Sequence, residues 1–301
     1  MSAPRLGIGM PVYNGERYVR QAVESHLAQT FGDFELVIAD NQSTDGTQDI
    51  CRDLAAADPR IRYVRNDHNL GGPGNFRRVF ELCRGEYHKW STADDWWAPT
   101  MLARGVAVLD EHPDVVLTYP KTVLVTDAGD EIQKYEDDLH LIEEEPSRRF
   151  IRLIETIDLC QAHLGIIRRE AMARTRLIGT ELKSDFWFLA ELTLYGKFHV
   201  IPEYLFYRRF HETSSSWDRH NMAHQQKYYD PERRGTFRFH TWKRYARLLD
   251  AVRRAPISGT EKRKLYAWLG RRIRWSRWTL LRELRDFRRP RSRAQPPAST
   301  T

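Results

Sequence analysis

The stretch LGIGMPVYNGERYVRQAVESHLAQTFGDFELVIAD, residues 6–40, decides the fold class of this chain. It opens with a short apolar run that ends in a Pro-Val-Tyr-Asn-Gly turn, which is typical of a buried strand. A helix is predicted over residues 16–27, because its apolar side chains fall on one stripe: Val19, Ala22, Val23 and Leu27. A second apolar run over residues 34–39 ends at Asp40. Strand, helix and strand in this order predict a βαβ unit.

The same alternation continues to about residue 120 and predicts an α/β fold with a mostly parallel sheet flanked by helices. Further strands are predicted over residues 61–64 and 87–90, and further helices over 48–57 and 76–83. The pattern downstream is less regular. It predicts strands over 115–125 and 164–167, two short strands over 198–210, and helices over 143–157 and 185–195, the last with Ser184 as its N-cap.

Charge divides the chain into two parts. Residues 231–301 carry 21 basic and 5 acidic side chains, a net charge of +16, whereas residues 1–230 carry 27 basic and 36 acidic ones, a net charge of −9. From residue 236 the pattern becomes helical and basic, and residues 290–301 are rich in Pro, Ser and Arg, as disordered tails are. An acidic body with a basic helical extension is therefore predicted.

Composition narrows the cellular setting. The chain is 41% hydrophobic, enough for a large core. No apolar run approaches the ~20 residues that span a bilayer, and the first residues do not resemble a secretion signal. The three cysteines, Cys51, Cys83 and Cys160, are far apart, which favours buried reduced thiols over a disulfide framework. A cytoplasmic protein is expected.

Four polar clusters follow the predicted strands at the ends where the chain leaves the sheet. They are Tyr13-Asn14, Asp40-Asn41, residues 69–75 and Asp94-Asp95. In open parallel sheets, ligands bind outside the carboxyl ends of the strands. The clusters therefore predict one ligand site along that edge.

These segments resemble the family 2 glycosyltransferases. The similarity rests on Gly9-Met10-Pro11-Val12-Tyr13-Asn14, on residues 37–47 (VIADNQSTDGT), on residues 69–75 (NLGGPGN), and on Ala93-Asp94-Asp95, which is similar to the family's DXD-type acidic motif. The resemblance covers about residues 5–215 and implies a GT-A fold, a Rossmann-like sheet. It divides the chain into a catalytic domain over 1–215 (nucleotide-binding half 1–120, acceptor half 121–215) and a basic helical extension over 216–301.

The resemblance implies a metal-dependent, inverting transfer of a sugar from a nucleotide-sugar, with a UDP-sugar favoured. The acceptor would be a hydroxyl of a saccharide or lipid-linked glycan, as in polysaccharide and cell-envelope synthesis. Mn²⁺ or Mg²⁺ would neutralise the leaving diphosphate and needs only one or two protein carboxylates. Asp95 is accordingly predicted to hold the metal and Asp94 to lie near the ribose and donor. A helix N-cap is the alternative role for this pair.

The nucleotide pocket is predicted from the other three clusters. By the same resemblance, Asp40 accepts a hydrogen bond from the nucleobase, although an Asx-turn would also explain an Asp there. The remaining residues predicted to contact the nucleotide are Pro11, Tyr13, Asn14, Asn69, Gly71 and Asn75. Asn75 is also a candidate cap for the following helix, and Tyr13 is equally consistent with ordinary packing.

The general base is predicted to be Asp185, which stands in Lys183-Ser184-Asp185-Phe186-Trp187 where the family places its base, at the start of a helix. A first-turn Asp that stabilises the helix dipole is the alternative. Trp187 and Trp96-Trp97 are candidates for an aromatic acceptor platform or for core packing.

A late segment, Tyr207-Arg208-Arg209-Phe210-His211, corresponds to the place where some family members carry a His near the metal. His211 is therefore a candidate metal ligand and Arg209 a candidate diphosphate contact, with a surface His as the alternative.

The extension interleaves Arg with Trp and Leu over residues 268–287. This pattern fits an interfacial helix beside anionic lipid, and equally a helix that packs on the catalytic domain. No nucleic-acid motif is present. Two alternative functions remain open. The chain could be a nucleotidyltransferase acting on sugar phosphates, or a non-catalytic membrane- or polymer-binding protein of the same fold.

Overall fold

The computed structural model describes residues 3–212, 214, 228–229 and 239–288. Its strands are β1 Leu6–Val12, β2 Phe34–Asp40, β3 Ile61–Arg65, β4 Tyr87–Trp90, β5 Trp96–Trp97, β6 Val115–Val125, β7 Glu131–Tyr135, β8 Ile166–Arg168 and β9 Lys197–Arg209. Its helices are α1 Val19–Leu27, α2 Thr47–Ala57, α3 Gly71–Leu82, α4 Met101–Glu111, α5 Pro146–Thr156, α6 Arg169–Ala173, α7 Ser184–Leu192, α8 His240–Arg254, α9 Gly259–Trp275 and α10 Arg277–Arg288. A 3₁₀ turn spans Gln161–Leu164.

These strands form one mixed sheet in the order β3-β2-β1-β4-β8-β6-β9-β5, with β7 paired to β6. The first four strands are mutually parallel, as the alternation of strands and helices predicts. β1 is buried on both faces, which is why it lacks a polar side. Helix α3 packs so closely on it that a Cβ at Gly9 would lie 2.7 Å from Val79.

The acceptor half joins the sheet through β8, which runs antiparallel to both β4 and β6, while β9 runs parallel to β6. The two short strands predicted over residues 198–210 are wrong, because β9 is one strand of 13 residues. Its register against β6 shifts between Ile201 and Tyr204. Pro202 stands inside this irregularity, where its missing N–H disrupts no regular ladder.

Two helix starts also differ from the prediction. Ser184 is the first residue of α7, not its cap, and its hydroxyl donates to the Gly179 carbonyl at 2.6 Å. Lys183 precedes it with a positive φ of 61°. Helix α3 begins at Gly71, five residues earlier than predicted, so Asn75 lies inside the helix and cannot cap it.

The described part of the basic extension is helical and packs on α5 and α7. Arg247 of α8 is buried and donates to Glu181 at 3.1 Å and to the Leu177 carbonyl. Glu261 of α9 accepts a hydrogen bond from the Ser147 backbone N–H at 2.8 Å, at the start of α5. Among the described residues, no helix is both long and apolar enough to cross a bilayer.

Candidate functional site

The polar clusters meet at one edge of the sheet. Val12 pairs with Asp40 across β1 and β2, and Gly9 pairs with Trp90 across β1 and β4. Because these strands are parallel, the loops that follow them emerge side by side. The sheet register therefore assembles the site that the sequence predicted at its strand ends.

Asp95 is a buried carboxylate with protein partners on both oxygens. It is 4% exposed, Oδ1 accepts the Arg209 N–H at 2.8 Å, and Oδ2 accepts the Thr92 hydroxyl. Burial and the neighbouring Asp94 charge raise the pKa of Asp95 to about 7. The cap interpretation of this pair is wrong, because strand β5 follows it and α4 begins only at Met101.

Asp94 is the more accessible member of the pair. Its side chain is 29% exposed, and its Oδ2 lies 2.9 Å from His211 Nε2. The prediction placed the metal on Asp95, with His211 as a second ligand. The structure instead brings His211 against Asp94. A carboxylate oxygen beside an imidazole nitrogen, partly open to solvent, is a ligand set that Mn²⁺ or Mg²⁺ can use.

Arg209 is a structural clamp in this geometry. Its guanidinium donates to the Asp94 carbonyl at 3.0 Å, to Gln21 Oε1 at 2.6 Å, and to the Asp127 carbonyl. It also lies 4.7 Å from the Tyr18 and Trp96 ring centroids. Three of its five N–H donors are thus used within the protein, and its predicted contact with the diphosphate stays a prediction.

Arg208, which the sequence analysis did not select, is near both polar groups. Its positive charge acts to lower the pKa of Asp95, Cys160 and His163. Adjacent residues of a strand point to opposite faces, so Arg208 and Arg209 must separate in this way. The double arginine alone could not show which of them faces the site.

Asp40 closes the end of β2. It is fully buried and accepts hydrogen bonds from the Tyr63 hydroxyl at 2.7 Å, from Arg65 at 2.6 Å and from the Ser43 N–H at 2.8 Å. A local hydrogen bond from the backbone three residues on and an ion pair with Arg65 thus occur together. Its contact with a nucleobase stays a prediction, and Tyr63 and Arg65 are neighbours of the site that the sequence analysis missed.

Tyr13 and Asn14 directly follow β1 at the same edge of the sheet. Asn14 adopts a positive φ of 50°, and its Oδ1 accepts the Thr44 N–H at 2.8 Å. Tyr13 is 48% exposed, which leaves its ring available to a ligand. Pro11 lies beside Ala39 near the end of β1.

Four asparagines tie the loops together: Asn41, Asn66, Asn69 and Asn75. Asn41 Nδ2 donates to Asn69 Oδ1 at 2.8 Å, and that oxygen also accepts the Gly71 N–H at 2.8 Å. Asn66 Nδ2 donates to Asn41 at 3.1 Å and to Asn75 at 2.9 Å. Amide side chains suit this task because each both donates and accepts. The network fixes the backbone of the loop before α3.

Asp185 lies in the first turn of α7, where the sequence predicted it. It stands beside Cys160 and His163 of the 3₁₀ turn. Lys89, which the sequence analysis missed, is fully buried between this group and the acidic pair: its charge acts on His163, and Asp95 acts on it. Lys89 donates to the Leu164 carbonyl at 2.7 Å and lies 3.9 Å from the Trp97 ring, and burial lowers its pKa well below the ordinary value.

The three candidate platform tryptophans have different environments. Trp97 is 3% exposed and stacks on Phe206, so it belongs to the core. Trp96 stacks on Tyr207 at 5.3 Å. Trp187 is partly exposed and lines a groove with Arg244, Trp268, Arg272 and Trp275, among others. Of the three, Trp187 is the one that lines this groove.

The strand-end edge of the sheet carries an acidic pair and a separate carboxylate, an arrangement typical of nucleotide-binding α/β proteins. Comparison with known proteins identifies the family. The model of Glycosyl transferase family 2 matches residues 8–175. The chain therefore belongs to that family.

Relatives and solved structures agree with this assignment. An uncharacterized protein of Mycobacterium tuberculosis is 36% identical over 120 residues, which cover 39% of this chain and 35% of that protein. An uncharacterized glycosyltransferase of Methanocaldococcus jannaschii is 24% identical over 207 residues, or 68% of this chain and 70% of the relative. The match thus spans about a third of the mycobacterial protein's length.

Two solved structures share the fold. S. aureus TarS 1-349 in complex with UDP-GlcNAc has a TM-score of 0.64 at 18% identity, over 94% of this chain and 80% of the TarS 1-349 chain. The mannosyltransferase PcManGT of Pyrobaculum calidifontis, in complex with GDP-Man and Mn²⁺, has a TM-score of 0.54 at 17% identity, over 94% and 86% of the two chains. The predicted GT-A fold is confirmed.

Proposed function

We propose that this protein transfers a sugar from a nucleotide-sugar to a hydroxyl of a saccharide or lipid-linked acceptor, with inversion at the sugar carbon. The observation that carries the proposal is the Asp94–His211 pair at the strand-end edge, 2.9 Å apart and partly open to solvent. The nucleotide-sugars named for TarS and PcManGT support the donor class. UDP-sugars are the first candidates.

The donor end of the site is assigned from the strand ends. Asp94 and His211 would hold Mn²⁺ or Mg²⁺, which when bound supplies positive charge to the leaving diphosphate. Asp95 keeps the loop in place through Arg209 and Thr92. Arg208, whose charge acts on Asp95, is the cation that we assign to the diphosphate. Asp40, Asn14 and Tyr13 border the space for the nucleobase and the ribose.

The acceptor end is assigned to Asp185. An inverting transfer needs a carboxylate that takes the proton of the attacking hydroxyl on the side opposite the leaving group. Asp185 lies on a different element from the metal pair, with Lys89 between the two groups. The groove that begins at Trp187 and continues past Arg244 and Arg272 fits a sugar chain bearing negative charge.

We also propose the domain division: catalytic residues up to about 215, and an extension that binds a membrane surface. Trp275 and Trp278 are 74% and 69% exposed, and Leu281 is 52% exposed. Arg residues flank them in α9 and α10. An exposed aromatic and apolar strip bordered by Arg is typical of interfacial helices. Cosedimentation should show binding to anionic vesicles, and a Trp275→Glu, Trp278→Glu double variant should stay in the supernatant.

A thermal-unfolding screen tests the donor assignment. A panel of nucleotide-sugars is added with Mn²⁺, and the true donor should stabilise the protein by about 2.7 kcal/mol at a hundredfold excess over its Kd. The same donor without Mn²⁺ should give a much smaller shift. A panel in which no nucleotide-sugar raises the melting temperature would reject the proposal.

A further inference from the structure

Cys160, His163 and Asp185 form a compact group on the acceptor side of the site. One sulfur, one ring nitrogen and one carboxylate oxygen of these residues all lie within 4.8 Å of one another. Cys160 is buried and the other two are half-buried. Among the described residues, no other group of three His, Cys, Asp or Glu side chains meets this spacing.

The group is oriented as a set of ligands would be. His163 Nδ1 donates to the Cys160 carbonyl, which leaves Nε2 as the nitrogen able to bind a cation. Asp185 Oδ1 is buried and has no hydrogen-bond partner among the residues that the structure describes. A buried carboxylate oxygen normally has a partner, so this atom is suited to accept a further one. The 3₁₀ turn and α7 pack together, which holds the three side chains in place.

We propose that Cys160, His163 and Asp185 bind a thiophilic divalent cation of the Zn²⁺ type. Sulfur, imidazole and carboxylate are zinc ligands, and three protein ligands plus water complete a tetrahedral shell. Mg²⁺ and Mn²⁺ prefer oxygen-rich sites, so this site would be distinct from the one at Asp94. On binding, the Cys160 thiol loses its proton to solvent and the sulfur–metal bond forms.

Selectivity for a soft cation follows from the ligand set. A thiol sulfur and an imidazole nitrogen suit Zn²⁺ and Co²⁺, whereas Mg²⁺ prefers oxygen ligands.

Occupancy of this site would regulate the enzyme. A carboxylate oxygen that coordinates a cation cannot also take the proton of an acceptor hydroxyl. Zinc would thus block the base, a consequence that rests on the proposed function of Asp185. The binding itself does not depend on that function.

Titration of the purified full chain with Co²⁺ tests the site without nucleotide or acceptor. The wild type should show thiolate-to-cobalt absorption in the near ultraviolet that saturates at one equivalent. Zn²⁺ should abolish this absorption, and a large excess of Mg²⁺ should not. Absence of the absorption in the wild type would overturn the proposal and leave the transferase assignment untouched.

Variants locate the ligands. Cys160→Ala and His163→Gln, checked for folding by circular dichroism, should lose the absorption or weaken cobalt affinity at least tenfold. Cys51→Ala, at another buried thiol, and His211→Ala, at the other site, should retain it. Unchanged absorption in folded Cys160→Ala would contradict the proposal. Conversely, a failed nucleotide-sugar screen with the absorption intact would reject the function and leave the cation site standing.

Discussion

The Asp94 carboxylate and the His211 imidazole come from loops 117 residues apart in sequence and meet at 2.9 Å. Asp94→Ala should weaken Mn²⁺-dependent binding of the donor nucleotide at least tenfold, because one of two protein ligands is lost. Isothermal titration calorimetry measures this effect. His211→Ala is the matched partner, and if both variants keep wild-type affinity, the metal is held elsewhere.

Asp185→Asn removes the proposed base and keeps the side-chain volume. Transfer should fall to background. Donor binding should stay within about twofold of wild type, because the residues proposed to contact the diphosphate and the nucleobase are elsewhere. Product formation and calorimetric affinity are measured on the same preparation. Full transfer activity in this variant would remove Asp185 from the mechanism.

Arg208→Ala and Arg209→Ala should separate two roles of neighbouring arginines. Arg208→Ala should weaken nucleoside-diphosphate binding with little change in melting temperature. Arg209→Ala should lower the melting temperature, because it leaves the carbonyls of Asp94 and Asp127 without their donor. The opposite pattern, with stability lost in Arg208→Ala alone, would contradict the assignment.

Sequence reasoning selected most of the candidate site residues but not their partners. Asp94, Asp185 and His211 follow from motif position. The pairing of His211 with Asp94 depends on how β9 aligns with β5 and β6, and no local pattern contains that register. Lys89 was missed because a lysine within a four-residue strand gives no sign that it is buried.

At the scale of elements, the contact between α9 and α5 depends on Glu261. Partial burial opposes its ionisation, but hydrogen bonds from Lys264 and Ser147 outweigh it and lower the pKa of Glu261 to about 2. Such a carboxylate stabilises the fold above its ordinary pKa of 4.5, and the contribution is lost as the pH falls toward 2. Glu261→Gln should cost about 1–3 kcal/mol at pH 7.

Urea unfolding of the wild type and of Glu261→Gln measures this difference. The difference in free energy of unfolding should narrow as the pH falls from 4.5 toward 2, since Glu261 of the unfolded wild type then takes up a proton while the folded carboxylate stays ionised. Ser258→Ala, which removes the α9 N-cap hydroxyl that accepts the Glu261 N–H, is a control for helix-end effects without a titrating group. A gap that is constant with pH would contradict the ionic role.

Elements were predicted best where apolar periodicity was uninterrupted. The predicted bounds of β1, β2 and β6 agree with the observed strands to within one residue. The prediction failed at β9, where two short strands were predicted although one strand passes through Pro202 at a register shift. It also failed at α3, because glycines in a first turn resemble a loop.

At the scale of the whole molecule, acid sensitivity should come from fully buried histidines. Burial lowers the pKa of His26 and of His88 well below the ordinary value of 6.5, with lesser effects from Lys89 and Arg169. The unfolded chain takes up protons near pH 6.5 that the folded chain excludes, so stability should fall as the pH drops below that value. Each histidine contributes at most about 1.4 kcal/mol per pH unit.

Chemical unfolding at pH 7.5 and 5.5 measures this slope. His88→Phe should show a smaller loss between the two pH values than wild type, because one excluded proton site is gone. If the two proteins lose stability in parallel, His88 does not contribute.

A divalent cation at Asp94 and His211 is proposed to anchor the nucleotide-sugar. Calorimetric titration with UDP, GDP and dTDP, with and without Mn²⁺, in wild type and Asp94→Ala, tests this role. One diphosphate should bind the wild type strongly only with Mn²⁺, and Asp94→Ala should lose this dependence. Binding that is equal with and without Mn²⁺, or the absence of binding by any of the three, would contradict it.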